Sequence, residues 1–106
     1  MVRDVTEGKI DFLLAIDGPM FERYAAHLTK GAKKYDKRNW MKACTIVEYE
    51  RFRESAFRHM IAWLNSEQDE DHAAGVMFNL NAAEYVLERI RKRTSPVVKE
   101  IIDRED

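Results

Sequence analysis

The sequence predicts an all-α domain, folded as a compact bundle of about four helices. Only four glycines and two prolines occur in 106 residues. Apolar residues recur with the 3.6-residue period of a helix over long stretches, and runs of β-branched residues are few. Hydrophobic residues make up 45% of the chain and charged residues 35%, a balance typical of a globular protein. We therefore expect residues 1–106 to form a single domain with one modest core.

Charge and cysteine content exclude several classes of protein. The net charge of −1 argues against a protein that binds a nucleic-acid polymer through its phosphates. The single cysteine, Cys44, cannot form an internal disulfide, which fits a reducing cytoplasm. No apolar run approaches the length of a membrane span, and residues 1–10 lack the apolar region of a signal peptide. We expect a cytoplasmic protein with no membrane partner.

The first helix is predicted over residues 17–30. Asp17 can accept a hydrogen bond as the N-cap, and Pro19 in the first turn loses no helical hydrogen bond. Gly31 is predicted to end the helix, because glycine readily adopts positive φ. The preceding apolar run, residues 11–16, fits either a turn of helix or an extended lid on the core. One face of the helix is apolar and comprises Met20, Phe21, Tyr24, Ala25 and Leu28.

Residues 31–40 are predicted to be a basic loop that carries aromatic side chains. Its cations can contact phosphate, and Tyr35 or Trp40 can stack on a base. The alternative is a solvated connector whose Trp40 packs on the core. The cations are Lys33, Lys34, Lys37 and Arg38.

The second helix is predicted over residues 45–65. Thr45 and Glu48 form a capping box, in which each side chain accepts a hydrogen bond from a backbone N–H. A broad apolar band on this helix implies burial between at least two other elements. The band comprises Tyr49, Phe52, Ala56, Met60 and Trp63, widened by Phe57, Ile61 and Leu64.

Four carboxylates lie within five positions after this helix, and His59 and His72 flank them. This stretch predicts either one wall of a cation-and-phosphate site or an acidic turn that starts the third helix. That helix is expected over residues 70–93, capped by Asp69 or Asp71. Its core stripe is predicted to be Val76, Met77, Leu80, Leu87 and Ile90, and Gly75 suggests close packing or ligand approach.

The tail, residues 94–106, is predicted to contain a short amphipathic helix over residues 96–103. Its apolar stripe can pack on the domain or on a second subunit.

Carboxylates at a joint between helices can hold Mg²⁺, which takes oxygen ligands. An activated water molecule can then attack a phosphoryl group while Lys and Arg neutralise the leaving phosphate. A zinc site is disfavoured, because the histidines lack a paired cysteine and the His-Glu-x-x-His spacing. Nothing around Cys44 indicates a Cys–His nucleophile.

An ordered series of motifs resembles the dATP/dGTP diphosphohydrolase N-terminal domain family of phage and prophage proteins. The resemblance spans roughly residues 11–90, and it is distantly shared with all-α nucleotide pyrophosphohydrolases of the MazG kind. The motifs are residues 28–35 (LTKGAKKY), Arg38-Asn39-Trp40, Arg58-His59, Ala62-Trp63, Glu67, residues 69–74 (DEDHAA) and Phe78-Asn79.

The resemblance implies hydrolysis of dATP or dGTP to the monophosphate and pyrophosphate, with Mg²⁺ or Mn²⁺ as cofactor. It also implies a homo-oligomer, since MazG-type bundles are usually completed by a second chain. The predicted metal ligands are Glu54, Glu67, Glu70 and Asp71. The predicted catalytic residues are Glu54, His59 and His72. The predicted substrate-binding residues are Lys33, Lys34, Tyr35, Arg38, Asn39, Trp40, Arg58 and Asn79.

The chain departs from the MazG pattern of ExxE followed by ExxD. Arg51 stands where a glutamate is expected three positions before Glu54, and the second motif ends in Glu70 instead of aspartate. Two alternatives therefore stay open: a phage protein that binds or sequesters a nucleotide without catalysis, and a small helical adaptor.

Overall fold

The structure, a computed structural model, describes residues 8–93 and 103–104. It contains three α-helices, α1 (Met20–Tyr35), α2 (Ile46–Leu64) and α3 (His72–Arg93), and two short 3-10 helices at Phe12–Ile16 and Asn39–Lys42. The described residues form no strand, so the all-α prediction is confirmed. The helix predicted over residues 96–103 falls almost entirely outside the described residues. None of the described helices is both long and apolar enough to cross a membrane.

The first helix differs from the prediction at both ends. Pro19, not Asp17, is the N-cap, and no side chain caps this end. The helix continues through Gly31 to Tyr35. Its end is set by Asp36, which has a φ of 105° and donates its backbone N–H to the Ala32 carbonyl. A glycine inside a helix costs only about 1 kcal/mol, so Gly31 permits an end without imposing one.

The predicted basic loop is thus mostly helical. Residues 31–35 form the last turn of α1, and Asn39–Lys42 is a 3-10 helix. Asp36 and Arg38, with φ of 105° and 58°, make the sharp turn between them.

The N-terminal caps predicted for α2 and α3 are confirmed. The Thr45 hydroxyl accepts the Glu48 N–H, and the Glu48 side chain accepts the Thr45 N–H. At the start of α3, Asp71 Oδ1 accepts the Ala74 N–H at 3.1 Å. Both caps are built within four residues of sequence, where local chemistry is enough to specify them.

Helices α2 and α3 form an antiparallel hairpin that contains the core. At its open end, Ala43 packs with Val86 and Ile90, while at the connecting end His59 contacts Gly75. Helix α1 lies across α3, where the Tyr24 hydroxyl accepts a hydrogen bond from Asn81 at 2.9 Å.

The buried surface is made chiefly of small side chains, contrary to the predicted stripes. Small residues let two helices approach closely, which leaves large neighbours outside the contact. Six residues of the predicted stripes are 38–67% exposed, so their predicted burial is wrong within one chain: Phe57, Met60, Ile61, Trp63, Leu64 and Leu80. Ala56, Leu87 and Ile90 are buried as predicted. The buried apolar residues of the described helices are Ala56, Ala62, Ala74, Ala82, Ala83, Val86, Leu87 and Ile90.

Candidate functional site

The acidic joint, residues 65–71, begins with a tight helix end built without glycine. Ser66 adopts a left-handed φ of 58°. Its N–H bonds to the Trp63 carbonyl at 3.0 Å, and the Glu67 N–H bonds to the Ala62 carbonyl at 3.0 Å. This pair of bonds is the Schellman motif. Because the motif fixes the backbone where α2 ends, the following carboxylates project beside the start of α3.

Two histidines meet across the hairpin at this joint. His59 Nδ1 of α2 lies 3.0 Å from His72 Nδ1 of α3. Gly75 explains how the rings come so close: a Cβ at this position would lie 2.8–2.9 Å from ring atoms of His59. Any other residue there would overlap the imidazole, so the interior glycine of α3 serves close packing.

His72 is held by a carboxylate on its other nitrogen. Its Nε2 lies 2.7 Å from Asp69 Oδ1, and the His72 side chain is only 8% exposed. An ionised carboxylate only accepts hydrogen bonds, so Nε2 carries the proton. The bond to Asp69 raises the pKa of His72, and the same bond lowers the pKa of Asp69.

Arg23 links α1 to the first turn of α3 through a bidentate pair. Its Nε and Nη2 donate to the two oxygens of Asp71, at 2.8 and 2.6 Å. The guanidinium lowers the pKa of Asp71 to about 2, so this carboxylate is ionised at neutral pH. Arg23 is a site residue that the sequence analysis missed.

His27, one turn after Arg23, is the second missed residue. Its ring lies 5.4 Å from the ring of Phe78, centroid to centroid. Burial is the main cause of its lowered pKa, with a further decrease from the charge of His59. The chain has three histidines, one on each α-helix, and all three contribute to this end of the molecule. The Arg23–His27 spacing of four residues, which places both on one face of α1, was the available signal.

An open cavity of about 340 Å³ lies at the joint. Trp63, itself 53% exposed, forms its apolar part, and the remaining walls are mainly charged. The cavity is lined by Arg23, Trp63, Glu67, Gln68, Glu70, Asp71, His72 and Ala73.

Two groups of three side chains in the described residues bring possible ligand atoms within 4.8 Å of one another. One is His59, Glu70 and His72; the other is Glu67, Asp69 and His72. Of the predicted metal ligands, the structure thus brings Glu67 and Glu70 together near the histidines. Glu54 belongs to neither group, and Asp71 is engaged by Arg23.

Comparison with known proteins gives one match. Residues 2–95 match the family described as dATP/dGTP diphosphohydrolase, N-terminal. The chain belongs to this family. No curated protein and no solved structure matches the chain.

The predicted substrate-binding residues lie on several elements. Lys33, Lys34 and Tyr35 are exposed in the last turn of α1, and the Lys34 ammonium lies 5.1 Å from the Tyr35 ring centroid. Arg38 and Asn39 are exposed in the turn that follows. All five precede the hairpin and lie outside the lining of the joint cavity.

Trp40 is half-buried and packs against α3. Its ring meets Phe78 and Tyr85 edge-on, at centroid distances of 5.8 and 5.2 Å. This contact matches the alternative in which Trp40 packs on the core.

The last two predicted substrate residues make local bonds. Arg58 is exposed and donates to the Ser55 hydroxyl at 2.9 Å. Asn79 is buried and donates to the Gly75 carbonyl at 2.8 Å, one turn away from the histidine pair.

Proposed function

We propose that this domain hydrolyses dATP or dGTP to the monophosphate and pyrophosphate at the acidic joint, with a divalent cation. Family membership supports the substrate class. The observation that carries the assignment to the joint is its cavity, in which carboxylates, His72 and Arg23 converge. Carboxylates there suit a cation and a water molecule, and a guanidinium suits phosphate.

The reaction we propose is an in-line displacement at the α-phosphorus. A water oxygen bonds to that phosphorus, and the bond to the oxygen bridging the α- and β-phosphates breaks. One proton of the water passes to a base, and pyrophosphate leaves with the electron pair of the broken bond. A divalent cation bound here would polarise phosphoryl oxygens and lower the pKa of a bound water molecule.

Glu67 is our proposed base. It is exposed, lines the cavity, and lies within 4.8 Å of Asp69 and His72, measured between ligand atoms. Its carboxylate is therefore accessible to water in the cavity, which general-base catalysis requires.

Arg23 is our proposed phosphate-binding residue. Two of its nitrogens donate to Asp71, yet the side chain stays 44% exposed. A guanidinium has five N–H donors, so donors remain for a phosphate oxygen while Asp71 holds the group in place. Trp63, exposed on the same wall, offers a face for stacking the base.

The basic segment, residues 33–38, begins ten residues beyond Arg23 along α1, which corresponds to about 15 Å. In our proposal its lysines contact the triphosphate from a neighbouring subunit. This arrangement requires the predicted homo-oligomer.

The exposed face of α2 supports such an oligomer. Ile46, Glu50, Arg53, Phe57, Met60 and Leu64 follow one another at alternating intervals of four and three residues, the spacing of a coiled-coil seam. The four apolar members are 38–67% exposed, and a soluble monomer rarely exposes a contiguous apolar patch of more than a few hundred Å².

We propose that a second copy covers this face, with the two α2 helices antiparallel about an axis near residue 55. In this arrangement Ile46 of each copy meets Leu64 of the other. A parallel pair would also cover these ends, but it would place Glu50 against Glu50 and Arg53 against Arg53, and such like-charge contacts are unfavourable. It also brings Arg53 onto the face of Phe57, a favourable cation–π contact. Light scattering should then give a dimer or a larger even assembly for the native chain. Phe57→Glu should dissociate the pair, and Leu80→Glu, an exposed position on α3, should not. A native chain that stays monomeric at high concentration contradicts the seam.

Hydrolysis is tested by incubating the pure protein with dGTP or dATP and a divalent cation. Monophosphate and pyrophosphate should appear in equal amounts, and chelation of the cation should abolish both. Glu67→Gln should reduce turnover by roughly 100-fold or more, as expected for loss of a general base. Glu88→Gln is the matched control, because Glu88 pairs with Lys92 on α3, sixteen positions beyond His72. Release of single phosphate contradicts the proposed bond cleavage, and tight nucleotide binding without product favours a sequestering protein.

A further inference from the structure

We infer that His59, His72 and Glu70 form a binding site for a first-row transition-metal ion such as Mn²⁺ or Co²⁺, in preference to Mg²⁺. The inference concerns the same joint as the proposed function and rests on it for the ion's use in hydrolysis. Binding itself follows from geometry and is measured without nucleotide.

The separation of the two imidazoles fits two ligands of one ion. Their Nδ1 atoms lie 3.0 Å apart. Two adjacent ligands of an octahedral ion with bonds of about 2.1 Å are about 3.0 Å apart, and two ligands of a tetrahedral ion are about 3.4 Å apart. Glu70 Oε1 lies 3.7 Å from His59 Nδ1, so one carboxylate oxygen approaches the same space from the joint.

The hydrogen bonding of His72 prepares its Nδ1 as a ligand. The proton of the neutral ring is on Nε2, where Asp69 accepts it at 2.7 Å. Nδ1 therefore presents a lone pair toward His59. A carboxylate on the far nitrogen of a ligating histidine is the usual second-shell arrangement of metal sites, because it fixes both the tautomer and the ring orientation.

Gly75 supplies the space that the site needs. Its missing Cβ lets the His59 ring lie against α3, since a Cβ would sit 2.8 Å from His59 Nδ1 itself. Glycine is less favourable than alanine in a helix interior. The close approach of a ligand nitrogen to α3 accounts for the glycine at this position.

The second group, Glu67, Asp69 and His72, is the weaker candidate. Asp69 faces Nε2 of His72, and an ion there would have to displace the proton that Asp69 accepts. Its two carboxylates are also exposed, and clusters of exposed acidic residues are common in proteins that bind no metal there. The Nδ1 side keeps the Asp69 bond intact and places one ligand on α2 and another on α3.

The ligand set decides the class of ion. Imidazole nitrogen suits transition-metal ions such as Co²⁺ and Zn²⁺ and binds Mn²⁺ less tightly, whereas Mg²⁺ takes oxygen ligands and retains water. Two nitrogens and one carboxylate leave coordination positions for water and phosphate oxygens. The prediction that the histidines lack a zinc-type spacing considered only neighbours in sequence, and the hairpin brings together residues thirteen positions apart.

Titration of the metal-free protein with Co²⁺, followed by the visible absorption of the ion, tests the site directly. We expect saturation at one Co²⁺ per chain and absorption bands typical of nitrogen ligands. A large excess of Mg²⁺ should leave the bands unchanged, and Zn²⁺, which suits imidazole ligands, should abolish them. Mg²⁺ displacing Co²⁺ readily would overturn the inference.

Variants separate the ligands from their surroundings. His59→Ala and His72→Ala should each abolish the nitrogen-ligand bands, with circular dichroism confirming the helices. Asp69→Asn keeps the His72 imidazole and nearly preserves the shape of the side chain at position 69. It should weaken Co²⁺ binding by roughly 10–100-fold. Glu88→Gln, whose residue pairs with Lys92 far along α3, is the control and should bind Co²⁺ as the native chain does. Unchanged spectra in both alanine variants would refute the site.

Glu67→Gln distinguishes this inference from the proposed function. It should bind Co²⁺ normally and lose hydrolysis. Normal Co²⁺ binding in a native protein that fails to hydrolyse dGTP supports the metal site and rejects the enzyme. Hydrolysis of dGTP by a protein that shows no nitrogen-ligand bands supports the enzyme and rejects the metal site.

Discussion

The two ends of the α2–α3 hairpin are held together by different physics. At the open end, Val86 is completely buried and packs with Ala43 and Ile90. Arg89 there donates to the Met41 carbonyl at 2.6 Å, which closes the end of the 3-10 helix. At the joint, polar side chains meet across the gap between the helices. The open end therefore carries stability, and the joint carries the groups that can bind a ligand.

The largest change in the free energy of unfolding is expected for a truncation at the open end. Ile90→Ala removes a side chain that is 6% exposed, and such truncations cost about 2–5 kcal/mol. The free energy of unfolding from urea titration should fall by that amount, while Co²⁺ affinity of the folded protein stays the same. Leu80→Ala, at an exposed position on the same helix, should change stability by less than about 0.5 kcal/mol. Equal losses in both variants would contradict the assigned core.

The next effect is at the joint. Gly75→Ala places a methyl group against His59, and overpacking of this kind costs about 1–3 kcal/mol. The variant should also weaken Co²⁺ binding, because His59 must move away from His72. Gly31→Ala is the matched control: nothing lies within 4 Å of its Cβ position. Since alanine is the better helix former, this control should raise stability by up to about 1 kcal/mol. A stabilising Gly75→Ala would mean that the two rings are not packed on the glycine.

A smaller effect comes from the Arg23–Asp71 pair. The folded pKa of Asp71 is about 2, below the ordinary 3.8, so the pair stabilises the fold above about pH 4. That contribution should be lost as the pH falls from about 4 to 2. Because both side chains are partly exposed, we expect this contribution to be small. Arg23→Met should remove this part of the acid dependence in urea titrations, and Lys92→Met, whose ion pair with Glu88 is exposed at 3.0 Å, should retain it.

The smallest effect concerns His27. Burial lowers its pKa below the ordinary 6.5, so the folded state disfavours the protonated ring. Stability is complete above pH 6.5 and decreases as the pH falls below it. The effect of pH through His72 is opposite. Because the folded state raises the pKa of His72, its protonated ring adds stability, and that stability is lost as the pH rises. His27→Gln should flatten the loss of stability on the acid side, and an unchanged profile would remove His27 from the pH response.

The sequence was sufficient where the chemistry is local. Thr45 with Glu48, and Asp71 at the start of α3, are specified within three residues. The approximate bounds of α2 and α3 followed from apolar period and from these caps. The joint was also predicted as the region of interest, because a cluster of acids between two histidines is visible in one stretch.

The features of the fold and the site that the sequence does not predict depend on contacts between residues far apart in the chain. Arg23 and Asp71 are 48 positions apart, and no pattern along the chain pairs them. The burial of alanines in place of Phe57 and Leu80 depends on how closely α2 approaches α3, which period alone does not give. The prediction of a helix end at Gly31 is wrong because glycine allows a helix to end without requiring it, and α1 continues to Tyr35.

The most direct test of the central claim is a crystal structure with Mn²⁺ and a non-hydrolysable dGTP analogue, with the ion located by its anomalous scattering. We expect one Mn²⁺ peak bound by both His59 Nδ1 and His72 Nδ1, with a phosphate oxygen near Arg23 and the base on Trp63. An ion and triphosphate bound elsewhere, with the two Nδ1 atoms still in hydrogen-bond contact at about 3.0 Å, would contradict the proposed site.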